Sequence, residues 1–245
     1  VKHISWVVDF GGRDQSQIGG SDITYFFDPE WHAHYTPGGF SDWLPPGTSC
    51  AHYRPDARAA GADYVFVGHI PAPWNPDELG NILGSAPDGV YRFADLLEDY
   101  RRESDRIMSA TTTHKDLKDL CHRIVRERTG VGALPQKVEY DLLERTKRMD
   151  SRRYLIDTVL DHSAGSLNIY GSETWRLWDR YRPKYAKHLA TPAELSRAFA
   201  SAKCCLHDGV GIHFRSLDCM ASGGVVLYCD RQTYVEDAEQ QRRRC

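Results

Sequence analysis

Three side chains near the C-terminal end of the sequence combine the chemistry needed to hold a phosphorylated, hydroxyl-bearing ligand. His213 and Arg215 are donors, and the planar guanidinium of Arg215 is suited to pair with two phosphate oxygens at once. Asp218 follows three residues later, and a carboxylate there can accept two hydrogen bonds from the hydroxyls of a ribose or a sugar. The same spacing also suits an ordinary surface ion pair between Arg215 and Asp218. Spacing alone leaves both interpretations open.

These side chains need a helix start to position them, and the sequence GIHFRSLDCMASGGVVLYCD predicts one. It indicates a helix over about 212–222 that Gly223 and Gly224 end, followed by a hydrophobic strand. The free N–H groups and the partial positive charge of a helix N-terminus attract phosphate. Gly209 and Gly211, just before the helix, lack the Cβ that would keep a ligand away from the backbone. A helix start of this kind suits an anion site, and the ion pair between Arg215 and Asp218 stays the alternative interpretation.

Alternating strands and helices predict the fold around this helix. In the second part of the sequence, the short apolar runs DYVFVG, SLNIYG, CCLH and VVLYC alternate with helical segments, and a long helical insert occupies about 77–162. This order predicts an α/β fold with a Rossmann-like parallel sheet that has helices on both faces. In such sheets, ligands bind at the carboxyl ends of the strands. We therefore expect Gly68, His69, Gly171 and Asp208 to lie along one edge of the sheet.

Residues 1–56 differ in character from the rest of the chain. They are rich in glycine and proline turns, with strand-like runs such as ISWVVDF and ITYFF between them. The sequence LPPGTSCAHYRPD, residues 44–56, predicts an extended linker because its prolines exclude helix. We expect 1–56 to be the end of an N-terminal Rossmann-like domain with its linker, and 57–245 to form a second domain. The sequence begins at Val1 inside a predicted strand, which favours a piece of a longer protein.

Five short motifs, taken in order along the chain, resemble one family of sugar transferases. HFRSLDCMASGGVVL is similar to the donor-site signature of GT-B glycosyltransferases, and in particular to the CgeB-like group (spore-maturation-protein-like, related to glycosyltransferase family 1). SWVVDF resembles the strand near the end of that group's N-terminal domain, and WLPPGTSCAHYRPD resembles its inter-domain linker. DYVFVG and LNIYGSETW resemble two strands of its C-terminal domain. The motifs span nearly the whole chain, although most residues between them match no pattern.

The resemblance implies two Rossmann-like domains, a nucleotide-diphosphate sugar as donor substrate, no resident cofactor or metal, and transfer of the sugar to an unknown acceptor. It implies that Asp218 binds the ribose, while Arg215 and His213 face the diphosphate and act in the transfer. It also implies further donor-binding residues at Gly68, His69, Gly171, Trp175, Asp208, Gly209 and Gly211. The sequence departs from the family in several places, and one is Asp218, which stands where the family usually has Glu. Val210 stands where a second acidic residue is usual, with Asp208 as a displaced candidate. Many retaining members of the family carry an arginine and a lysine after the first strand of the C-terminal domain, as a clamp on the diphosphate. Here His69 follows Gly68, and no lysine occurs between 69 and 114.

Composition limits the class of protein. The 245 residues carry 31 basic and 34 acidic side chains, so a formal net charge of −3 gives no general attraction to nucleic acid. The seven cysteines include no CxxC pair, which is typical of reduced thiols in a cytoplasmic protein. No apolar run approaches the roughly 18 residues that a membrane span needs. His32 and His34, with Glu30 nearby, lack a third ligand at a sensible spacing, so we expect no metal site.

Other functions fit parts of the sequence. The missing lysine and the missing second acid favour a non-catalytic or truncated GT-B-like module that binds a nucleotide or a partner protein. WRLWDRYRPKY, residues 175–185, is basic and aromatic, as surfaces for single-stranded nucleic acid can be. Because this is a single stretch in a net-negative chain, we expect it to pack beside the pocket that the resemblance implies for the nucleotide base, or to lie at the surface. An epimerase of the Rossmann type is disfavoured, because no GxGxxG follows the first strand. We therefore expect a glycosyltransferase, with the binding module as its alternative.

Overall fold

A computed structural model describes residues 2–7, 21–27, 32, 38–55, 61–87, 89–107, 114–208 and 213–228 of the chain. The chain divides into two compact units, Val1–Ser49 and Cys50–Cys245. Each unit contains a parallel β-sheet, and helices flank the sheet of the second unit on both sides. Within the described ranges, no helix is long and apolar enough to cross a membrane.

The first unit contains a three-stranded parallel sheet in the order β1-β2-β3. Its strands are β1 (Ile4–Val7), β2 (Ile23–Phe26) and β3 (Phe40–Trp43). The sequence predicts β1 and β2, but not β3, because the polar centre of FSDW interrupts its apolar pattern. Two indole N–H groups tie the strand ends together. Trp6 donates to the carbonyl of Leu44 at 3.2 Å, and Trp43 donates to that of Phe27 at 3.1 Å.

The second unit contains the remaining described elements. In chain order they are β4 (Tyr64–Val67), α1 (Pro76–Gly80), β5 (Ile82–Ala86), β6 (Gly89–Arg92), α2 (Phe93–Ile107), α3 (His114–Thr129), α4 (Gln136–Tyr140), a π-helical turn (Asp141–Arg145), α5 (Thr146–His162), β7 (Leu167–Tyr170), β8 (Tyr185–Lys187), α6 (Pro192–Ser201), β9 (Cys204–His207), α7 (Phe214–Ala221) and β10 (Val226–Tyr228). Short 3-10 turns at Glu173–Leu177 and Arg182–Lys184 join β7 to β8. Because α4, the π turn and α5 follow without a break, residues 136–162 form one helical segment.

The sheet of the second unit has the strand order β10-β9-β4-β7-β8, and all neighbouring strands are parallel. Read from β8, the order along the chain is 3-2-1-4-5, which is the strand order of Rossmann folds. The predicted α/β fold with a Rossmann-like parallel sheet is therefore confirmed. The chain first adds β7 and β8 on one side of β4 and then adds β9 and β10 on the other. The direction of the crossovers thus reverses between β4 and β9.

Helices cover both faces of this sheet. On one face, Ile156 of α5 packs in a buried cluster with Phe66 of β4. On the other face, Phe199 of α6 and Cys219 of α7 pack in a second cluster with Val65 of β4. Neighbouring strand residues point to opposite faces, so Val65 and Phe66 belong to different clusters. Burial on both faces explains why these strands read as nearly continuous apolar runs.

The insert between β4 and β7 has a hydrophobic core of its own. Its buried cluster draws side chains from a strand and several helices, among them Tyr91, Leu96 and Leu142. The prediction of an entirely helical insert over about 77–162 is wrong in one part, because β5 and β6 form an antiparallel pair there. The sequence SAPDGVYR places Pro-Asp-Gly between two apolar runs, which is a hairpin signal. Gly89 begins β6 with φ +140°, a conformation that favours glycine.

Candidate functional site

The strand ends where the crossovers reverse are the expected ligand site of an open α/β sheet. Here His69 follows the end of β4, and Asp208 follows the end of β9. The next helix, α7, starts after His213, and its Arg215 contacts Val67 at the end of β4. The fold therefore brings residues from separate parts of the sequence to one place. We call the group His69, Arg152, Asp208, His213 and Arg215 the switch-point site.

His213 is the N-cap residue of α7, with extended backbone angles of φ −112° and ψ 156°. Its Nδ1 accepts the backbone N–H of Arg215 at 3.3 Å. In return, the hydroxyl of Ser216 accepts the backbone N–H of His213 at 3.0 Å. This capping box satisfies two N–H groups at the start of the helix. The imidazole therefore holds the helix start in place, in addition to any contact that it makes with a ligand.

Arg215 reaches from the first turn of α7 to the end of β4. One N–H of its guanidinium donates to the carbonyl of Val67, with an Nη1–O distance of 3.1 Å. With the described residues, the Arg215 side chain makes this one hydrogen bond, whereas a guanidinium has five N–H donors. Burial lowers the pKa of Arg215, but an arginine remains protonated in proteins. Arg215 is thus a cation that a hydrogen bond holds at the end of β4.

Arg152 completes the switch-point site, and the sequence analysis did not select it. Its Nε donates to Oδ2 of Asp208 at 2.7 Å, and its Nη1 donates to the carbonyl of His69. The Arg152 side chain is 11% exposed and that of Asp208 is 8% exposed, so the ion pair is buried. Asp208, the displaced candidate for a second acid, is therefore the partner of Arg152. The partners are 56 and 83 residues distant in sequence, and no local pattern connects them.

A second arginine on α5 adds to the positive charge of this region. Arg148 precedes Arg152 by four residues, so the two lie on the same side of the helix, and Arg148 is exposed. Partial burial is the largest cause of the lowered pKa of His69. The positive charges of Arg152, Arg148 and Arg215 lower this pKa further, in that order. All three arginines are thus near the loop after β4. The segment KRMDSRRY shows these arginines in the sequence, but not the surface that they reach.

Three histidines in this region are neutral at pH 7. Burial is the largest cause of the lowered pKa of His213, and the charge of Arg215 adds to it. Burial likewise lowers the pKa of His207, the last residue of β9, to about 4. His207 is 5% exposed, and its Nε2 has no hydrogen-bond partner among the residues that the structure describes. Because these histidines and His69 are uncharged, the positive charge of the site comes from the arginines.

Two glycines allow the loops after β4 and β7 to come into close contact. Gly171 has φ +142°, and a Cβ at this position would lie 1.7 Å from the carbonyl oxygen of Gly68. The indole N–H of Trp175 donates to the same oxygen at 2.9 Å. Trp175 is fully buried against Phe66 and Tyr181. The structure therefore places Trp175 in the core, where its ring presents no surface to a nucleotide base.

Asp218 lies one turn into α7, on a half-buried part of the helix. Burial raises the pKa of the Tyr53 hydroxyl. The negative charge of Asp218 and the hydrogen bond between the hydroxyl and Asp218 raise this pKa further. Tyr53 belongs to the predicted linker segment, and Pro55 of the same segment lies beside Gly223 at the end of α7. The carboxylate proposed for ribose thus already holds one hydroxyl group, that of a tyrosine.

Two predicted site residues, Gly209 and Gly211, lie outside the described residues. Over the described parts of the chain, no group of three or more His, Cys, Asp or Glu side chains is arranged to hold a metal ion. The structure brings His69, Asp208, His213 and Arg215 close together at the ends of β4 and β9. Comparisons of the chain with family models, with curated proteins and with solved structures gave no match.

Proposed function

We propose that the switch-point site binds the diphosphate of a nucleotide-diphosphate sugar, and that the chain is a glycosyltransferase of the GT-B type. The observation that carries this proposal is the convergence of Arg152 and Arg215 on the carboxyl ends of β4 and β9. Arg152 comes from α5 on one face of the sheet, and Arg215 comes from α7 on the other face. The order of the five sequence motifs supports the same function.

The charge balance of the site suits an anion. Arg148, Arg152 and Arg215 are positive, while Asp208 is paired with one of them. The chain as a whole carries a formal charge of −3, so this surplus is local. Guanidinium groups bind phosphate oxygens in a bidentate manner, which orients the ligand as well as holding it. A diphosphate across the strand ends would reach arginines from both sides.

The same cations suit the chemistry of sugar transfer. In that reaction, the bond between the anomeric carbon and a diphosphate oxygen breaks, and its electron pair stays on the diphosphate. The oxygen of the acceptor hydroxyl forms the new bond to the anomeric carbon, and its proton passes to the departing diphosphate. Fixed positive groups aimed at the oxygen that gains charge stabilise the transition state. In this proposal, Arg152 and Arg148 supply from α5 the charge that the resembling family carries in the loop after its first strand.

A second candidate function is binding without transfer. It is favoured by the state of the two carboxylates in the region, because Asp208 is paired with Arg152 and Asp218 accepts a hydrogen bond from Tyr53. Neither acid is then available, without rearrangement, to contact the donor sugar. The site would in that case hold a nucleotide as a structural or regulatory ligand.

A thermal-shift experiment tests the binding proposal. UDP, GDP, ADP, TDP and CDP are added in turn, and one of them should raise Tm. At 100 times Kd, a ligand stabilises by about 2.7 kcal/mol, which corresponds to about 5–10 °C for a domain of this size. Arg215→Ala should remove the shift, measured from its own Tm without ligand. Arg123→Ala is the matched control, since Arg123 is an exposed arginine of α3 with an ion pair at 3.8 Å, and it should keep the shift. Flat curves with all five nucleotides would contradict the proposal.

A second measurement separates the two candidate functions. The nucleotide that binds is supplied as its hexose conjugates, and release of the nucleoside diphosphate is followed over time. Release that Arg215→Ala abolishes and Arg123→Ala preserves supports the transferase. Tight binding without release in any of these reactions supports the binding module.

A further inference from the structure

The insert contains a cavity that is distinct from the switch-point site. It has a volume of about 340 Å³, which is within the range of about 300–1,000 Å³ typical of small-molecule sites. Its lining combines apolar with charged residues: Trp74, Phe93 and Val138 are apolar, and Asp77, Glu78, Lys137 and Asp141 are charged. We call it the insert cavity. Its residues come from the loop after β4, α1, α2, α4 and the π turn, so several elements build it.

One wall of the insert cavity contains a buried donor without an acceptor. The four other tryptophans that the structure describes each donate their indole N–H to a backbone carbonyl: Trp6, Trp43, Trp175 and Trp178. The Nε1 of Trp74 is buried and has no hydrogen-bond partner within the described residues. Nearly all buried polar groups in folded proteins are satisfied, so this N–H is an exception. The Nε1 atom is shielded from solvent, so a ligand in the insert cavity would contact the Trp74 ring and not its N–H.

The same wall is held rigidly. The guanidinium of Arg145 lies 3.8 Å from the centre of the Trp74 ring. It also pairs with Oε1 of Glu78 at 2.6 Å and donates to the carbonyl of Ala72 at 3.0 Å. The rings of Phe93 and Trp74 pack edge to face, with their centres 4.9 Å apart. The aromatic wall is therefore set in place before a ligand arrives, which reduces the entropy lost on binding.

The polar groups of the cavity carry both signs of charge. Burial raises the pKa of Asp141, so a hydrogen-bond donor within reach would stabilise its carboxylate form. Asp77 and Glu78 add two further acids, of which Glu78 is paired with Arg145. Lys137 adds a cation and Asn81 adds an amide. An anionic ligand would meet the acids, and a cationic ligand would meet Lys137 and the neighbouring Arg145. A hydroxyl group can both donate and accept, so it can pair with every one of these groups.

We propose that the insert cavity binds a saccharide. The hydroxyls of a sugar ring would pair with Asp77, Asp141 and Lys137. The C–H face of the ring would pack on Phe93 and the aromatic wall. The size of the cavity and the mixture of an apolar wall with a few convergent polar groups match such a ligand.

The position of the cavity suggests which saccharide it takes, and this step rests on the proposed function. Asp141 lines the insert cavity, and Arg148 and Arg152 lie further along the same helical segment, 136–162. Eleven residues of helix from Asp141 to Arg152 span about 16 Å at a rise of 1.5 Å per residue. A reacting hydroxyl must lie about 3 Å from the anomeric carbon, so a saccharide in the insert cavity would be a remote unit of an extended acceptor.

The indole N–H resonance of Trp74 provides the test. The chain contains six tryptophans, so a ¹⁵N–¹H spectrum resolves few indole signals, and Trp74→Phe assigns the relevant one. Glucose, galactose, N-acetylglucosamine and maltose are titrated to high millimolar concentration, with spermidine and citrate as a cation and an anion. We expect a saccharide to move the Trp74 signal in a saturable manner. Movement by spermidine or citrate alone, or by none of the probes, overturns the proposal.

A matched pair of variants locates the binding. Asp141→Asn keeps the shape of the side chain and should weaken the saccharide about tenfold, as expected for the loss of a hydrogen bond to a charged group. Asp105→Asn changes an exposed acid of α2 outside the cavity and should leave the affinity unchanged. Equal affinities in the two variants would place the saccharide elsewhere and overturn the proposal.

Repeating the titration with UDP, GDP, ADP, TDP or CDP present distinguishes this proposal from the proposed function. A saccharide that moves the Trp74 signal while no nucleotide binds supports the insert cavity and contradicts the donor site. A nucleotide that binds while no saccharide moves the signal contradicts the insert cavity alone.

Discussion

Replacing Arg152 with methionine removes the cation that joins α5 to the ends of two strands, while a side chain of similar length remains. The structure indicates a large effect, because Arg152 and Asp208 are only 11% and 8% exposed. Removing one partner of a buried ion pair costs about 3–5 kcal/mol, since the other charge is left unpaired. At about 2–4 °C per kcal/mol for a domain of this size, even the lower value predicts a decrease in Tm of about 6–12 °C.

A double-mutant cycle separates the loss of the ion pair from other effects. Urea unfolding, followed by tryptophan fluorescence, gives the free energy of unfolding for Arg152→Met, Asp208→Asn and the double variant. The double variant has no unpaired charge, so we expect it to be more stable than Arg152→Met alone. The coupling free energy between the two positions should be about 2 kcal/mol, within the range known for contacting pairs.

The cycle also has a control and an outcome that refutes the reasoning. Arg123→Met breaks an exposed pair with Glu127 at 3.8 Å and should change the free energy of unfolding by less than about 1 kcal/mol. If the effects of Arg152→Met and Asp208→Asn simply add, the two side chains are not coupled. The ion pair would then have no part in holding the ends of β4 and β9 together.

Two further predictions concern the buried groups around the site. Between pH 7 and pH 4.5, the wild type should lose about 2 kcal/mol more unfolding free energy than His207→Gln, as measured by urea unfolding at each pH. The folded-state pKa of His207, about 4, lies below the ordinary 6.5. The neutral imidazole therefore contributes to the free energy of unfolding at pH 7, and this contribution is lost as the pH falls from 6.5 towards 4. Parallel pH curves for the two proteins would contradict the prediction. Gly171→Ala should prevent folding or lower Tm sharply, because its Cβ would overlap the carbonyl of Gly68 in addition to the backbone strain at φ +142°. Gly89→Ala has a similar φ of +140° and no atom within 4 Å of its Cβ, so it should show only the strain, about 1–3 kcal/mol. Equal thermal shifts for the two variants would rule out the overlap.

The sheet of the second unit is largely predictable from sequence. The strands β4, β7, β9 and β10 are short apolar runs that end in glycine or a polar residue, and their alternation with helices indicates parallel pairing. The start of α7 lies within two residues of its predicted position at 212. The edge strand β8 was not predicted, because its three residues, YAK, carry no apolar pattern.

The candidate site is only partly predictable, and the reason is long-range packing. His213 and Arg215 are found from local spacing, because a helix start determines where both lie. Arg152 is missed, because its contacts with His69 and Asp208 depend on how the insert returns to the sheet. The burial of Trp175 has the same origin. Its position after a strand indicates an edge residue, but the turn that follows folds the indole into the core.

The π-helical turn at Asp141–Arg145 determines the rotational phase of the helix that follows it. In this turn the N–H of Thr146 bonds to the carbonyl of Asp141, five residues earlier rather than four. One extra residue turns everything downstream by about 100° relative to the residues before it, because an α-helix has 3.6 residues per turn. In a regular helix with Lys137 and Val138 facing the insert, Arg148 and Arg152 would point in a different direction around the helix axis. The extra residue therefore rotates the second part of the segment relative to the first. One side of the segment can then face the core of the insert, while another faces the strand ends.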